Sequence, residues 1–297
     1  MRRTLPCLLL ALSAAWPVAA RPAPGAGLWA DATLYRDGWG VPHVYAANPR
    51  AMAFAFGYAQ AEDHIEAMLL AYRVANGRAA EVLGESHADS DVFSLKMGHA
   101  RLARAALAKA DPVTVDLCEG FALGVNAWLA AHAGEVPPWA EGVQPPDVLA
   151  LWHAFIMRMA PLDLPGVERP PRPYPSANAW ALAGARGEEG KAVLVLNPHQ
   201  RHDGVFRWYE AHLALPGLDA AGCTLFGLPV LLQGHNGVLG WALTPNKPDF
   251  ADVFQEKVTG PETNPKDPGL PDFAAAQAMM LQYMAQARPY YVRTETR

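Results

Sequence analysis

A hydroxyl, a carboxamide and an imidazole occur around one short stretch of this chain, at Ser176, Asn178 and His199. The stretch runs Tyr174-Pro-Ser-Ala-Asn-Ala-Trp180 and continues through Gly184-Ala-Arg-Gly-Glu-Glu-Gly-Lys191 to Asn197-Pro-His199. A serine placed where an extended linker becomes a strand suits a self-cleaving hydrolase. Cutting before it would put a nucleophilic hydroxyl and its own α-amine base on one residue. The elements that must position these groups are read from the same stretch: a strand, a Gly-rich polar turn and a second strand ending in Asn-Pro-His. Together they make a β-hairpin that opens a new domain.

Other chemistries fit this sequence less well. His199, His202, Asp203 and His235 could be taken for a metal cluster, but Pro198 breaks the helix that a His-Glu-x-x-His zinc site needs. Cys7, Cys118 and Cys223 show no Cys-x-x-Cys spacing, and Cys118 and Cys223 read either as two buried free thiols or as a pair bridged in an oxidising periplasm. Trp208, Tyr209, Phe226 and Trp241 read as core aromatics. There is no Gly-rich phosphate loop, internal repeat or heptad pattern.

With 51% hydrophobic and 18% charged residues among 297, the chain can bury one large core or two medium ones. Residues 1–20 combine Arg2 and Arg3, an apolar middle and small residues at Val18 and Ala20. That reads as a secretory leader and places the mature chain in the periplasm or outside the cell. The leader carries Pro6 and Pro17 and is shorter than the roughly 20 apolar residues of a membrane span. Losing Arg2 and Arg3 takes the formal net charge two units further negative than −5, which argues against nucleic acid or an acidic membrane as partner.

The chain must then hold its candidate groups in place. A hairpin is expected within 32–46, turning at Gly38 to Gly40. A helix follows from Pro49 to Met68 with Asn48 as its cap, and two more cover Val113 to His132 and Pro146 to Met159. In the last of these, Asp147 and Arg158 suit the helix dipole. Pro161, Pro165, Pro170, Pro171, Pro173 and Pro175 make 161–175 an extended linker. Beyond it strands are expected at 180–183, 193–196, 207–213, 230–233, 238–244 and 253–258, then a helix over 272–287 and a strand starting at 290–293. The fold class is α+β: a leader at 1–20, a mainly helical region at 21–160, the linker, and a sheet domain over 176–297.

Four segments together resemble the penicillin acylase family, the N-terminal-nucleophile amidases that include penicillin G, cephalosporin and acyl-homoserine lactone acylases. They are Arg36-Asp-Gly-Trp-Gly-Val-Pro-His-Val-Tyr-Ala46; Gly57-Tyr-Ala-Gln-Ala-Glu-Asp63 with Asn76-Gly-Arg-Ala-Ala-Glu-Val-Leu-Gly84; Asn178-Ala-Trp-Ala with Asn197-Pro-His199; and Gly234-His-Asn-Gly-Val-Leu-Gly-Trp241 with Asp249-Phe-Ala-Asp252. The resemblance covers roughly 32–258. It implies a secreted precursor, the N-terminal part of a longer protein, that cuts itself at the linker. The products would be a mainly helical small subunit and a large subunit built on an αββα sandwich, incomplete here, with the two processed fragments staying associated.

Carried over by position, the family's nucleophile falls on Ala177, and the nearest hydroxyl is Ser176, one residue earlier. A one-residue slip moves the backbone amine by about 3.8 Å, whereas catalytic geometry is held within about 0.5 Å, so Ser176 would serve through a backbone bulge. His199 matches a position that orients the nucleophile, and Asn178 the position next to it. The backbone oxyanion donor falls on Pro245, which has no N–H, and a local gap would give Asn246 that role. Arg158 and Met159 match the helix end lining the acyl pocket. Asp249 and Asp252 match calcium ligands, with Glu168 a further candidate, and hard carboxylate oxygens across a turn suit that ion. No organic cofactor is implied. Two readings follow: an amidohydrolase precursor acting on the linear amide of an acylated small molecule such as a β-lactam or acyl-homoserine lactone, or an uncleaved, inactive relative that acts as a binding module.

Overall fold

Asn48 and Pro49 start the longest described element. In the computed structural model, which describes residues 25–159, 177–199 and 202–244, helix α1 spans Pro49–Asn76. Asn48 Oδ1 accepts from Ala51 N at 2.9 Å and Pro49 occupies the first turn, where its missing N–H costs nothing. The helix ends at Gly77, whose φ of 69° is a left-handed conformation that glycine adopts without strain. His64 interrupts it with φ −156° and ψ 51°.

Helix α1 continues well past the expected Met68. Three short helices follow, α2 Ala80–Leu83, α3 Ala88–Met97 and α4 His99–Leu107. α2 lies in the segment 76–84 that resembles one of the family's first helices, whereas α3 and α4 have no counterpart in the sequence pattern, because Gly77, Gly84 and Gly98 chop the segment into pieces too short to show a period. Helices α5 Pro112–Ala131 and α6 Pro145–Met159 lie where the pattern put them. Asp111 caps α5 by accepting from Val113 N at 3.0 Å and Thr114 N at 3.1 Å.

Glycines let α1 and α5 pack closely. A Cβ added at Gly57 would stand 2.4 Å from Phe121 O, one at Gly120 2.2 Å from Arg50 O, and one at Gly124 1.9 Å from Phe54 O. The backbones therefore approach to a distance that any side chain would forbid, and Phe54, Phe56, Phe121 and Val125 are fully buried around the crossing.

The strands β1 Ala32–Arg36 and β2 Pro42–Ala46 form the expected antiparallel hairpin, in register Ala32↔Ala46 to Arg36↔Pro42. Asp37 Oδ1 accepts from Trp39 N and Val41 N in the turn, and the Trp39 N–H holds its carboxyl below the usual range. After the linker come β3 Ala177–Leu182, β4 Val193–Pro198, β5 Trp208–Leu215, β6 Leu218–Leu225, β7 Gln233–His235 and β8 Gly240–Trp241. β3 and β4 pair as a separate two-stranded sheet; the rest run β1-β2-β5-β6-β7-β8. Among the described strands only β2 and β5 pair in parallel, through His43↔His212 to Tyr45↔Ala214.

Strand β6 went unanticipated, and the strand expected at 230–233 is the shorter β7 that begins at Gln233. The hairpin β1–β2 belongs to a sheet built mostly from residues beyond the linker. Val44, Ala211 and Leu213 face inward, and with Phe56 and Tyr209 they join the core between sheet and helices. The architecture is α+β. The expected leader, the linker, the 253–258 strand and everything from 272 onward lie outside the described residues.

Candidate functional site

Ala177 opens β3 opposite Pro198, and Asn178 pairs with Asn197. The two strand ends carry the candidate side chains outward together, and Asn178 Nδ2 lies 3.3 Å from His199 Nε2. With the amide nitrogen donating, His199 Nε2 is the acceptor and its ring proton sits on Nδ1. The contact is exposed. It brings a carboxamide and an imidazole together at the strand ends next to residue 177. Ser176, Asn246, Asp249, Asp252, Glu168 and Pro245 lie outside the described residues.

The other two candidates sit at the end of α6. Arg158 Nη2 donates to Ser90 Oγ at 3.0 Å and approaches Ser94 Oγ at 3.4 Å, and the guanidinium carbon stands 5.5 Å from the Phe93 ring centre. Arg158 Nε is buried with no hydrogen-bond partner. Burial pulls the Arg158 guanidinium down to about 10, offset in part by Asp91. Met159 packs half-buried against the core. No hydrogen bond among the described residues joins Arg158 to Asn178 or His199.

Beside Arg158 lies a pair that sequence reading missed. His99 Nδ1 and His153 Nδ1 are 2.8 Å apart, and His99 is fully buried with its Nε2 unpartnered. Burial, helped by His153 and Arg158, pushes the His99 imidazole down to about 3. The sequence hints at one partner alone, His153 standing with Arg158 in the apolar second half of α6, and not at the pairing.

The penicillin amidase family model matches residues 31–296. The chain belongs to that family. It is 28% identical over 279 residues to an acyl-homoserine lactone acylase, PvdQ, of Pseudomonas fluorescens (strain Pf0-1), an alignment covering 80% of this chain and 35% of that protein. It is 26% identical over 311 residues to the penicillin acylase 2 proenzyme of Pseudomonas sp. (strain SE83), covering 83% and 40% respectively. The chain thus spans well under half the length of these relatives. A solved thermostable penicillin G acylase from Alcaligenes faecalis overlaps with a TM-score of 0.40 at 24% identity, over 43% of this chain and 72% of that one.

Several segments that resemble penicillin amidase motifs serve to hold the frame together. Arg36 bonds Glu62 Oε2, Asp63 Oδ2 and Ala59 O, and Tyr209 Oη donates to Asp63 Oδ2 at 2.5 Å, tying β1 and β5 to α1. Gln60 is fully buried, accepting from Gly227 N at 2.8 Å and donating to Leu228 O at 3.1 Å. Arg73 and Arg78 share Glu81 and Glu141, while Asp91 accepts from Ala79 N and Ala80 N.

Proposed function

We propose that this chain is part of an amidohydrolase precursor that hydrolyses the linear amide of an acylated small molecule. The observation that carries the reading is the Asn178–His199 contact at the open end of the β3–β4 hairpin, adjoining residue 177, in a chain whose relatives are named acyl-homoserine lactone acylase and penicillin acylase. In this reading the chain is secreted, residues 1–20 are removed, and cleavage before Ser176 frees its α-amine. That amine, with a free value near 8, takes the hydroxyl proton as Oγ attacks the amide carbonyl. The C–N bond breaks as the proton passes to the departing amine, leaving an acyl ester on Ser176 that water then hydrolyses. His199 and Asn178 orient the nucleophile, Asn246 steadies the oxyanion, and Arg158 and Met159 border the acyl group. Calcium would be held by the carboxylates of Asp249 and Asp252.

The protein as its natural host makes it should release amine from N-acyl homoserine lactones or phenylacetyl amides. Ser176→Ala should abolish turnover, and His199→Ala should lower kcat by about 10² or more. Ala177, lacking a hydroxyl, favours the second reading, an uncleaved binding module. Saturable binding of the same amides without product release would establish that reading and overturn the first.

A further inference from the structure

Two imidazoles meet where β2 and β5 lie side by side, on the sheet face turned away from the helices. His43 and His212 are partners in the parallel register, with Nδ1 atoms 3.1 Å apart and ring centres 5.1 Å apart. Each ring has a carboxylate at its far nitrogen. His212 Nε2 is 2.7 Å from Asp219 Oδ1, and His43 Nε2 is 3.6 Å from Asp37 Oδ2. Tyr45 stands edge-on to His212, with Tyr35 edge-on to Tyr45 in turn, so aromatic rings wall one side.

The protons along this row cannot all be matched in a neutral, ion-free pair. Asp219 fixes the proton of His212 on Nε2, so His212 Nδ1 is an acceptor and His43 must donate from its own Nδ1. His43 Nε2 then turns a lone pair toward a carboxylate, and that nitrogen is buried without a hydrogen-bond partner. Placing the proton on His43 Nε2 instead leaves two Nδ1 lone pairs facing each other. A cation between the Nδ1 atoms removes both conflicts, because each ring keeps an Nε2–H for its carboxylate. Carboxylate-imidazole-metal rows are the usual surroundings of histidine ligands. Two nitrogens at 2.0–2.1 Å from an ion are about 3.3 Å apart at a tetrahedral angle and about 2.9 Å apart at a right angle. The observed separation lies between these.

We propose that His43 and His212 bind a divalent transition-metal ion of the imidazole-preferring class, Zn²⁺ or Cu²⁺, with Asp37 and Asp219 as outer partners that also balance its charge. Among the described residues no group of three or more ligating side chains is gathered at one point, so water completes the coordination and the ion is exchangeable. The site's donors are imidazole nitrogens, whereas Asp249 and Asp252 offer only oxygen. It joins strands on either side of Ser176, so a chain cut there, as proposed above, would have its two fragments tied by the ion; ion binding itself does not rest on that cut.

Titration calorimetry of chelator-treated protein with ZnCl₂, repeated with CuCl₂, tests this. One ion per chain is expected, with affinity lowered at least tenfold by His43→Asn or His212→Asn. The exposed Asp219 offers a milder probe, and Asp219→Asn should weaken binding about 10- to 100-fold. His235→Asn, at the exposed end of β7, should bind as wild type, and CaCl₂ should not compete. Zinc should raise the unfolding midpoint of the wild type but not that of the double His→Asn variant. Absence of binding, binding that survives the double substitution, or displacement by calcium would each overturn the proposal.

Discussion

His99 is the residue whose protonation the fold opposes most plainly. It sits fully buried among Phe93, His153 and Arg158, and its imidazole is pushed from 6.5 to about 3, with burial the leading cause. The unfolded chain therefore binds a proton at this residue between about pH 6.5 and 3 that the folded chain does not. Stability is full above that window and falls as pH drops through it, by at most about 1.4 kcal/mol per pH unit from this group. Urea unfolding at neutral pH and near pH 5 should show a smaller loss in His99→Phe than in the wild type, and an unchanged loss would contradict the assignment. The pairing of His99 with His153 was not legible in the sequence, because it links α4 to α6 and no spacing on one element marks it. Asn178 and His199 were each legible as candidates on the two strands of one expected hairpin, but their contact was not, since the sequence does not give the register that pairs Asn178 with Asn197. Asn48 and Pro49 were legible because capping is a local affair.

At the scale of elements, the crossing of α1 and α5 fixes the helical layer. Gly124→Ala would place a Cβ 1.9 Å from Phe54 O, and the helices must separate. Alanine is otherwise better than glycine in a helix by up to about 1 kcal/mol, so the sign of the effect decides. Denaturant unfolding should show a loss of about 1–3 kcal/mol, and a neutral or stabilising outcome would contradict the close approach. Helices with caps and long apolar runs could be read from sequence. Strand β6 could not, because Leu218-Asp-Ala-Ala-Gly-Cys-Thr-Leu225 lacks the β-branched alternation of a strand. Its extended form comes from β5 on one side and β7 on the other.

Across the whole molecule, one sheet draws strands from both sides of the linker, and the β2–β5 pairing that unites them leaves no trace in local pattern. The family resemblance supplied the order of segments, while the joining of 32–46 to the later strands became visible only in the fold. The β3–β4 hairpin forms its own two-stranded sheet, with Trp180, Leu182, Val193 and Val195 exposed on it. Its open end carries Asn178 and His199 next to Ala177, and the proposed activity depends on cleavage of the backbone just before that point. Intact-mass and N-terminal analysis of the protein secreted by its natural host is the most direct test. A polypeptide beginning at Ser176, absent from the Ser176→Ala variant, is expected, and a chain that remains continuous through residues 175–177 would rule out the proposed self-cleavage.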